Sequence, residues 1–124
     1  MEPDTPTLDE GILREILEST GDDIIFVREL IQTYLADTPA LLEGMTAAVE
    51  ADDAAALVRP AHTLKSSSAT VGASRLSSVA RELEMGGRTG ALDPALHASL
   101  DAAQHEWQAA ADALATWLDR ASDE

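Results

Sequence analysis

The sequence predicts an all-α protein, an antiparallel up-down four-helix bundle with a short additional helix at the N-terminus. Three observations carry this. Apolar residues recur every three or four positions through four long segments. The connections between them are short and marked by Gly, Asp and Pro, which makes neighbours antiparallel. No alternating pattern of useful length suggests a strand, and no internal repeat suggests a solenoid. With 124 residues, 45% hydrophobic and only 3% aromatic, the chain reads as a single domain whose core is built from Leu, Ile, Val and Ala.

Each element follows from local chemistry. The polar, Pro-containing start makes residues 1–6 a candidate for disorder. Thr7-Leu8-Asp9-Glu10 then reads as a capping box, with Leu8, Ile12, Ile16 and Leu17 facing inward and Gly21 as the stop. Asp22 or Asp23 caps the next helix, which carries Ile24, Val27, Leu30, Ile31, Tyr34, Leu41, Met45 and Val49 inward to about Glu50. Pro39 lies inside it and is expected to kink it, the alternative being two helices joined at residues 37–39. Asp53 caps a third helix that ends at Gly72. Pro60 either bends this helix or stands at its first position after a separate turn, and the bend is favoured. A fourth helix starts at Ser74, with Leu76, Val79, Ala80, Leu83 and Met85 inward, and stops in the Gly86-Gly87 to Gly90 region. Asp93-Pro94 opens the last helix, which runs to about Ala121 through Leu96, Leu100, Ala103, Trp107, Ala111, Leu114, Trp117 and Leu118.

Composition removes several function classes. Eight basic against 23 acidic residues give a net charge of −15, which argues against nucleic acid and against anionic membrane surfaces. The chain has no cysteine, hence no disulfide framework and no thiolate metal site. No apolar run approaches a membrane span, and MEPDTPT has no signal-peptide character. A cytoplasmic, monomeric protein is expected.

The stretch Ala61–Ala73, AHTLKSSSATVGA, is the chemical centre. On a helix, Leu57, Leu64, Ser67 and Val71 share one face, with Ala61 and Ser68 at its margin. His62 points almost directly away, among Val58, Arg59, Lys65, Ser66 and Ala69. An imidazole is thus held out in water with a cation one turn on and only small side chains beyond, which suits a nucleophile presented to a large partner.

This stretch resembles the histidine phosphotransfer (HPt) family, whose motif is His-x-Leu-Lys-Gly followed by small residues and a Gly. Here it stands as His62-Thr-Leu64-Lys65-Ser66-Ser67-Ser68, then Gly72-Ala73, with Ser66 where the family most often has Gly. FVRELIQTYLADTPALLEGM upstream and RLSSVARELEMGGRTG downstream are similar to the family's flanking helices, so the resemblance runs from about Asp22 to the end. It implies a carrier in a two-component phosphorelay, phosphorylated on His62 with Lys65 against the phosphoryl oxygens. Its partners would be response-regulator receiver domains and a hybrid sensor kinase. Arg59, Ser66, Ala69 and Arg88 are candidate binding residues. Arg88 lies where some members have an Arg near the histidine, and Glu84 where some have a hydrogen-bonding Gln. An acid there would repel a phosphoryl group, so that role is not carried over.

No nucleotide-binding loop is present, so the chain is not expected to be an enzyme. No paired acids lie beside His62, so no cofactor is expected on this chain, and the receiver would supply Mg²⁺. The bland alternative for His62 is an exposed histidine without a role. Ser66 to Ser68 are simplest as small-residue packing, and Trp107 and Trp117 as core or rim. His97 and His105, with Asp101, make too poor a ligand set for zinc. The rival function is an acidic helical adaptor or inhibitor that binds a signalling partner without phosphoryl chemistry. It would need neither His62 nor Lys65.

Overall fold

The computed structural model describes residues 5–122, and within them the chain forms five helices and no strand. These are α1 (Glu10–Ser19), α2 (Ile24–Glu50), α3 (Ala54–Val71), α4 (Ser74–Thr89) and α5 (Pro94–Ser122). Of the N-terminal segment expected to be disordered, residues 1–4 lie outside the described part. Thr5 and Pro6 accept hydrogen bonds through their carbonyls from Arg75 Nε and the Arg75 backbone N–H.

The caps decide the boundaries. Asp23, Asp53 and Asp93 each accept a backbone N–H three residues on, at 3.1, 3.1 and 2.9 Å, which starts α2, α3 and α5 where their sequences indicate. α1 starts later than the Thr7-Glu10 box suggests. Asp9 caps it instead, accepting from Gly11 N–H at 3.1 Å. Leu13, absent from the expected inward face, is its one fully buried side chain.

Both prolines sit inside continuous helices. α2 runs unbroken through Pro39, so the two-helix alternative fails. α3 begins at Ala54, six residues before Pro60, so Pro60 does not open the helix. Around Pro39 the inward stripe is Thr38, Leu42, Met45 and Val49, with Leu41 only half-buried. Spacing allows either neighbour inward. Leu42 takes the buried place, on the side of α2 that meets α5, while Leu41 turns toward α3 at the rim of the core. On α3, Ala61 and Ser68 are fully buried while Ser67 stays at the margin, the reverse of the expected ranking. Small side chains here let a neighbouring helix approach closely.

Close packing of α4 on α3 and α5 also moves the end of α4. Gly86 and Gly87 do not break the helix, which continues to Thr89 and stops at Gly90 in the left-handed conformation, φ +78°. They are contact residues. A Cβ on Gly87 would lie 2.9 Å from Val58 Cγ2 and 3.0 Å from the Ala54 carbonyl oxygen, both on α3, and Gly86 abuts Leu96 on α5. Ser77 Oγ, also on α4, donates to the Lys65 carbonyl at 2.8 Å. Met85, expected inward, is 57% exposed.

α3 packs against α2 and α4, α5 closes against both α4 and α2, and α1 lies on α2 and α3. One core runs through these contacts, from Leu13 and Val27 through Leu57 and Leu64 to Leu83, Leu100 and Leu114. Tyr34 bridges its polar seam. The phenol hydroxyl is 2.8 Å from Ser68 Oγ, Thr38 Oγ1 donates to the Tyr34 carbonyl at 2.6 Å, and Trp107 meets the ring edge-on with centroids 5.7 Å apart. Burial pushes the Tyr34 hydroxyl up to about 12, with the bonds to Ser68 and Thr38 opposing. No helix among the described residues is long and apolar enough to cross a membrane.

Candidate functional site

His62 sits on the outer side of α3, because Leu57, Ala61, Leu64 and Ser68 bury the opposite face. Its side chain is 55% exposed. The ring is nevertheless held on one side. Nδ1 lies 3.1 Å from Glu84 Oε2, a carboxylate reaching across from α4 with a side chain only 7% exposed. A carboxylate only accepts, so Nδ1 carries the hydrogen and donates it. Nε2 is then the nitrogen with a free lone pair, and it is the one the carboxylate leaves unengaged.

Glu84 organises the cluster. Arg88, one turn along α4, donates to Oε2 through Nε at 3.0 Å and Nη2 at 2.6 Å. Lys65 Nζ lies 2.7 Å from Oε1, which takes no other hydrogen bond. These partners explain the state of the acid. The Lys65 bond, then the Arg88 bond, hold the Glu84 carboxyl down to about 2 against its own burial, with His62 adding a smaller effect in the same direction. Two cations flank one carboxylate, so the cluster around His62 carries net positive charge in a chain of −15.

Glu84 is the site residue that sequence reasoning set aside. Repulsion of a phosphoryl group by an acid presumes a free charge, and Lys65 and Arg88 remove that premise. A signal was available: an acid on the inward side of α4 needs a partner, and Arg88 stands four residues on.

The structure brings His62, Lys65 and Arg88 together. Arg59 is exposed one turn before His62 and makes no ion pair among the described residues. Ser66 and Ala69 are exposed on the same side of α3, and Val58 is half-buried against Gly87. His97 and His105 are exposed on α5, and no three His, Asp or Glu side chains among the described residues are grouped to hold a metal. Beside this ridge, α2 and α3 enclose an apolar cleft of about 220 Å³ lined by Leu30, Leu41, Thr63, Ser67 and Val71, with Tyr34 on its floor. Phe26, 46% exposed, continues its α2 wall at helical spacing from Leu30.

The family model for the Hpt domain matches residues 29–123. The crystal structure of histidine-containing phosphotransfer protein B from Pseudomonas aeruginosa PAO1 superposes with a TM-score of 0.82 at 29% identity, covering 93% of this chain and 96% of that one. No curated protein matches the chain. A matching family model over most of the length, and a helical fold shared with a phosphotransfer protein, make this chain a member of the Hpt family, with a histidine phosphotransfer function in a phosphorelay.

Proposed function

We propose that His62 is the phosphorylated residue and that its Nε2 makes the bond. The observation that carries this is the Nδ1–Glu84 contact at 3.1 Å, which favours the tautomer with its hydrogen on Nδ1 and leaves Nε2 unengaged on an exposed ring. The Nε2 lone pair attacks the phosphorus of a receiver's aspartyl phosphate. A P–N bond forms, the P–O bond breaks, and the aspartate carboxylate leaves. The ring gains positive charge as it reacts, and Glu84 stabilises that charge through the Nδ1 hydrogen. Return to another receiver aspartate reverses these steps. Glu84 is thus a positioning residue. Lys65 and Arg88 sit close enough to turn toward the incoming phosphoryl oxygens, and Arg59 flanks them.

The chain acts as a carrier and not as an enzyme, with Mg²⁺ supplied by the receiver's acidic site. Receiver domains of response regulators and of a hybrid sensor kinase are the partners. Their docking face is the ridge of His62, Ser66 and Ala69 with the adjoining α2/α3 cleft, where an apolar floor ringed by polar groups suits a transient interface. The scaffold is an antiparallel up-down four-helix bundle of α2 to α5, one domain with α1 added at one end. It works as a cytoplasmic monomer.

The test is phosphoryl transfer from a phosphorylated receiver domain with Mg²⁺ to the wild type and to His62→Gln. Acid-labile label on the wild type alone, with the phosphorus resonance of an Nε2 adduct, is the expected result. Label on both proteins would place the nucleophile elsewhere. Binding of receivers without label on either would favour the adaptor.

A further inference from the structure

A second cleft, of about 350 Å³, lies between α2 and α5. Leu42, Thr46 and Trp107 line it, Glu43 and Glu50 stand along its α2 edge, and Gln104 faces them from α5. Since α3 packs on α2 and α4 while α5 closes against both, the α2/α5 groove is on the far side of the molecule from the His62–Glu84 contact between α3 and α4.

Its charge is uncompensated. The side chains of Glu43 and Glu50 make no ion pair or hydrogen bond among the described residues. No Lys or Arg occurs from Glu29 to Val58 or from Thr89 to Asp119, the two stretches that build both walls. The chain's basic residues stand elsewhere: Arg59, Lys65, Arg75, Arg81 and Arg88 on α3 and α4, and Arg14, Arg28 and Arg120 outside those stretches. The groove therefore combines an aromatic face, which attracts guanidinium and ammonium groups, with two carboxylates bearing no countercharge. Seven residues apart on one helix, the two acids are separated by about 10 Å, two helical turns.

We propose that this groove docks a basic helical segment of a partner protein. Arginine or lysine side chains seven residues apart on that segment pair with Glu43 and Glu50, and its apolar side packs over Trp107 and Leu42. The carrier is then held from one face while the other exchanges phosphoryl groups, so tethering and transfer do not compete. The proposal goes beyond the phosphotransfer reading and stands whether or not His62 is the phosphoacceptor.

The test uses the full chain and an alanine-based helical peptide bearing two arginines seven residues apart, with binding read from Trp fluorescence and from amide shifts. Saturable binding centred on α2 and α5 is expected. Glu43→Gln with Glu50→Gln should weaken it roughly three- to tenfold, two exposed ion pairs' worth. The control pair Glu15→Gln and Glu18→Gln on α1, which removes the same formal charge, should leave it within about twofold. Phosphoryl uptake from a receiver should be unchanged by the groove variants and by saturating peptide. Equal weakening by both pairs would reduce the effect to net charge and overturn the site. So would shifts spread over the whole surface, or the absence of saturable binding.

Discussion

Replacing Gly87 with alanine opposes helix propensity to packing at a tight contact between α3 and α4. Propensity alone favours alanine by about 1 kcal/mol in a helix interior. The new Cβ, however, would stand 2.9 Å from Val58 Cγ2, 3.0 Å from the Ala54 carbonyl oxygen and 3.4 Å from Leu57 Cβ. A carbonyl oxygen and a Cβ cannot rotate away, so the two helices must separate. Overpacking of this kind costs about 1–3 kcal/mol, and the balance is a net loss of about 1 kcal/mol. For a domain this size the midpoint of thermal unfolding should fall by about 4 °C. Gly44→Ala provides the internal comparison, because its Cβ would meet Pro60 Cβ at 3.9 Å, an ordinary contact. It should gain about 0.5–1 kcal/mol. Urea denaturation of both variants orders them directly. Gly87 is three residues after Glu84 and Val58 four before His62, so separating the helices also lengthens the 3.1 Å Nδ1–Oε2 contact, and Gly87→Ala should take up phosphoryl groups more slowly. If Gly87→Ala proves as stable as Gly44→Ala, the helices yield at no cost and the account of their spacing is wrong.

Three further outcomes are expected. Glu84→Gln keeps an acceptor for His62 but no charge for Lys65 and Arg88. Since the folded carboxyl lies at about 2, below its ordinary value, its stabilisation is present above about pH 4.5 and disappears as pH falls toward 2. Acid titration of unfolding should show that window in the wild type and not in the variant, whose phosphoryl uptake should be slower. Tyr34 has the opposite sign: its hydroxyl is raised to about 12, so stability is intact below about pH 10 and declines between 10 and 12. Tyr34→Phe should lose about 1 kcal/mol at neutral pH, from the severed Ser68 bond, and show a shallower alkaline decline in urea titrations. Gly72→Ala would place a Cβ 2.6 Å from the Asp9 carbonyl oxygen at φ +84°, and a loss of about 2 kcal/mol by thermal unfolding is expected.

Helix number, the starts of α2, α3, α4 and α5, and the exposure of His62 were legible because each depends on local chemistry. Asp caps act over three residues, and one heptad of Leu and Ala is enough to decide which way an imidazole points. What was not legible depends on a second helix. Gly86 and Gly87 read as a stop from sequence, since glycine disfavours helix, yet they persist in α4 because α3 and α5 occupy the space a side chain would fill. Leu42 replaces Leu41, and Ala61 with Ser68 replaces Ser67, because interhelical distance sets those choices. Glu84 escaped for the same reason. Its ionisation is governed by Lys65 from another helix, and an isolated sequence position does not reveal the charge that will face it.

The bonds at the N-terminus have a consequence for where this folding unit begins. The Hpt match starts at residue 29, within α2, yet Asp9 donates its N–H to the Gly72 carbonyl at 2.7 Å, and Arg75 holds Thr5 and Pro6. Glu10 also pairs with Arg120 at 2.8 Å, fastening α1 to the end of α5. A chain trimmed to the family boundary would lose α1, uncover the pocket that Leu13 fills, and leave the α3–α4 corner without its brace. α1 nevertheless packs on its neighbours more sparsely than α2 to α5 pack on one another, so its detachment as a unit should cost less than opening the bundle itself. Gly72 is ten residues from His62, about 15 Å along α3. Amide exchange would show α1 and the corner opening together while the middle of α3 stays protected, so the carrier can breathe at its base without disturbing the histidine.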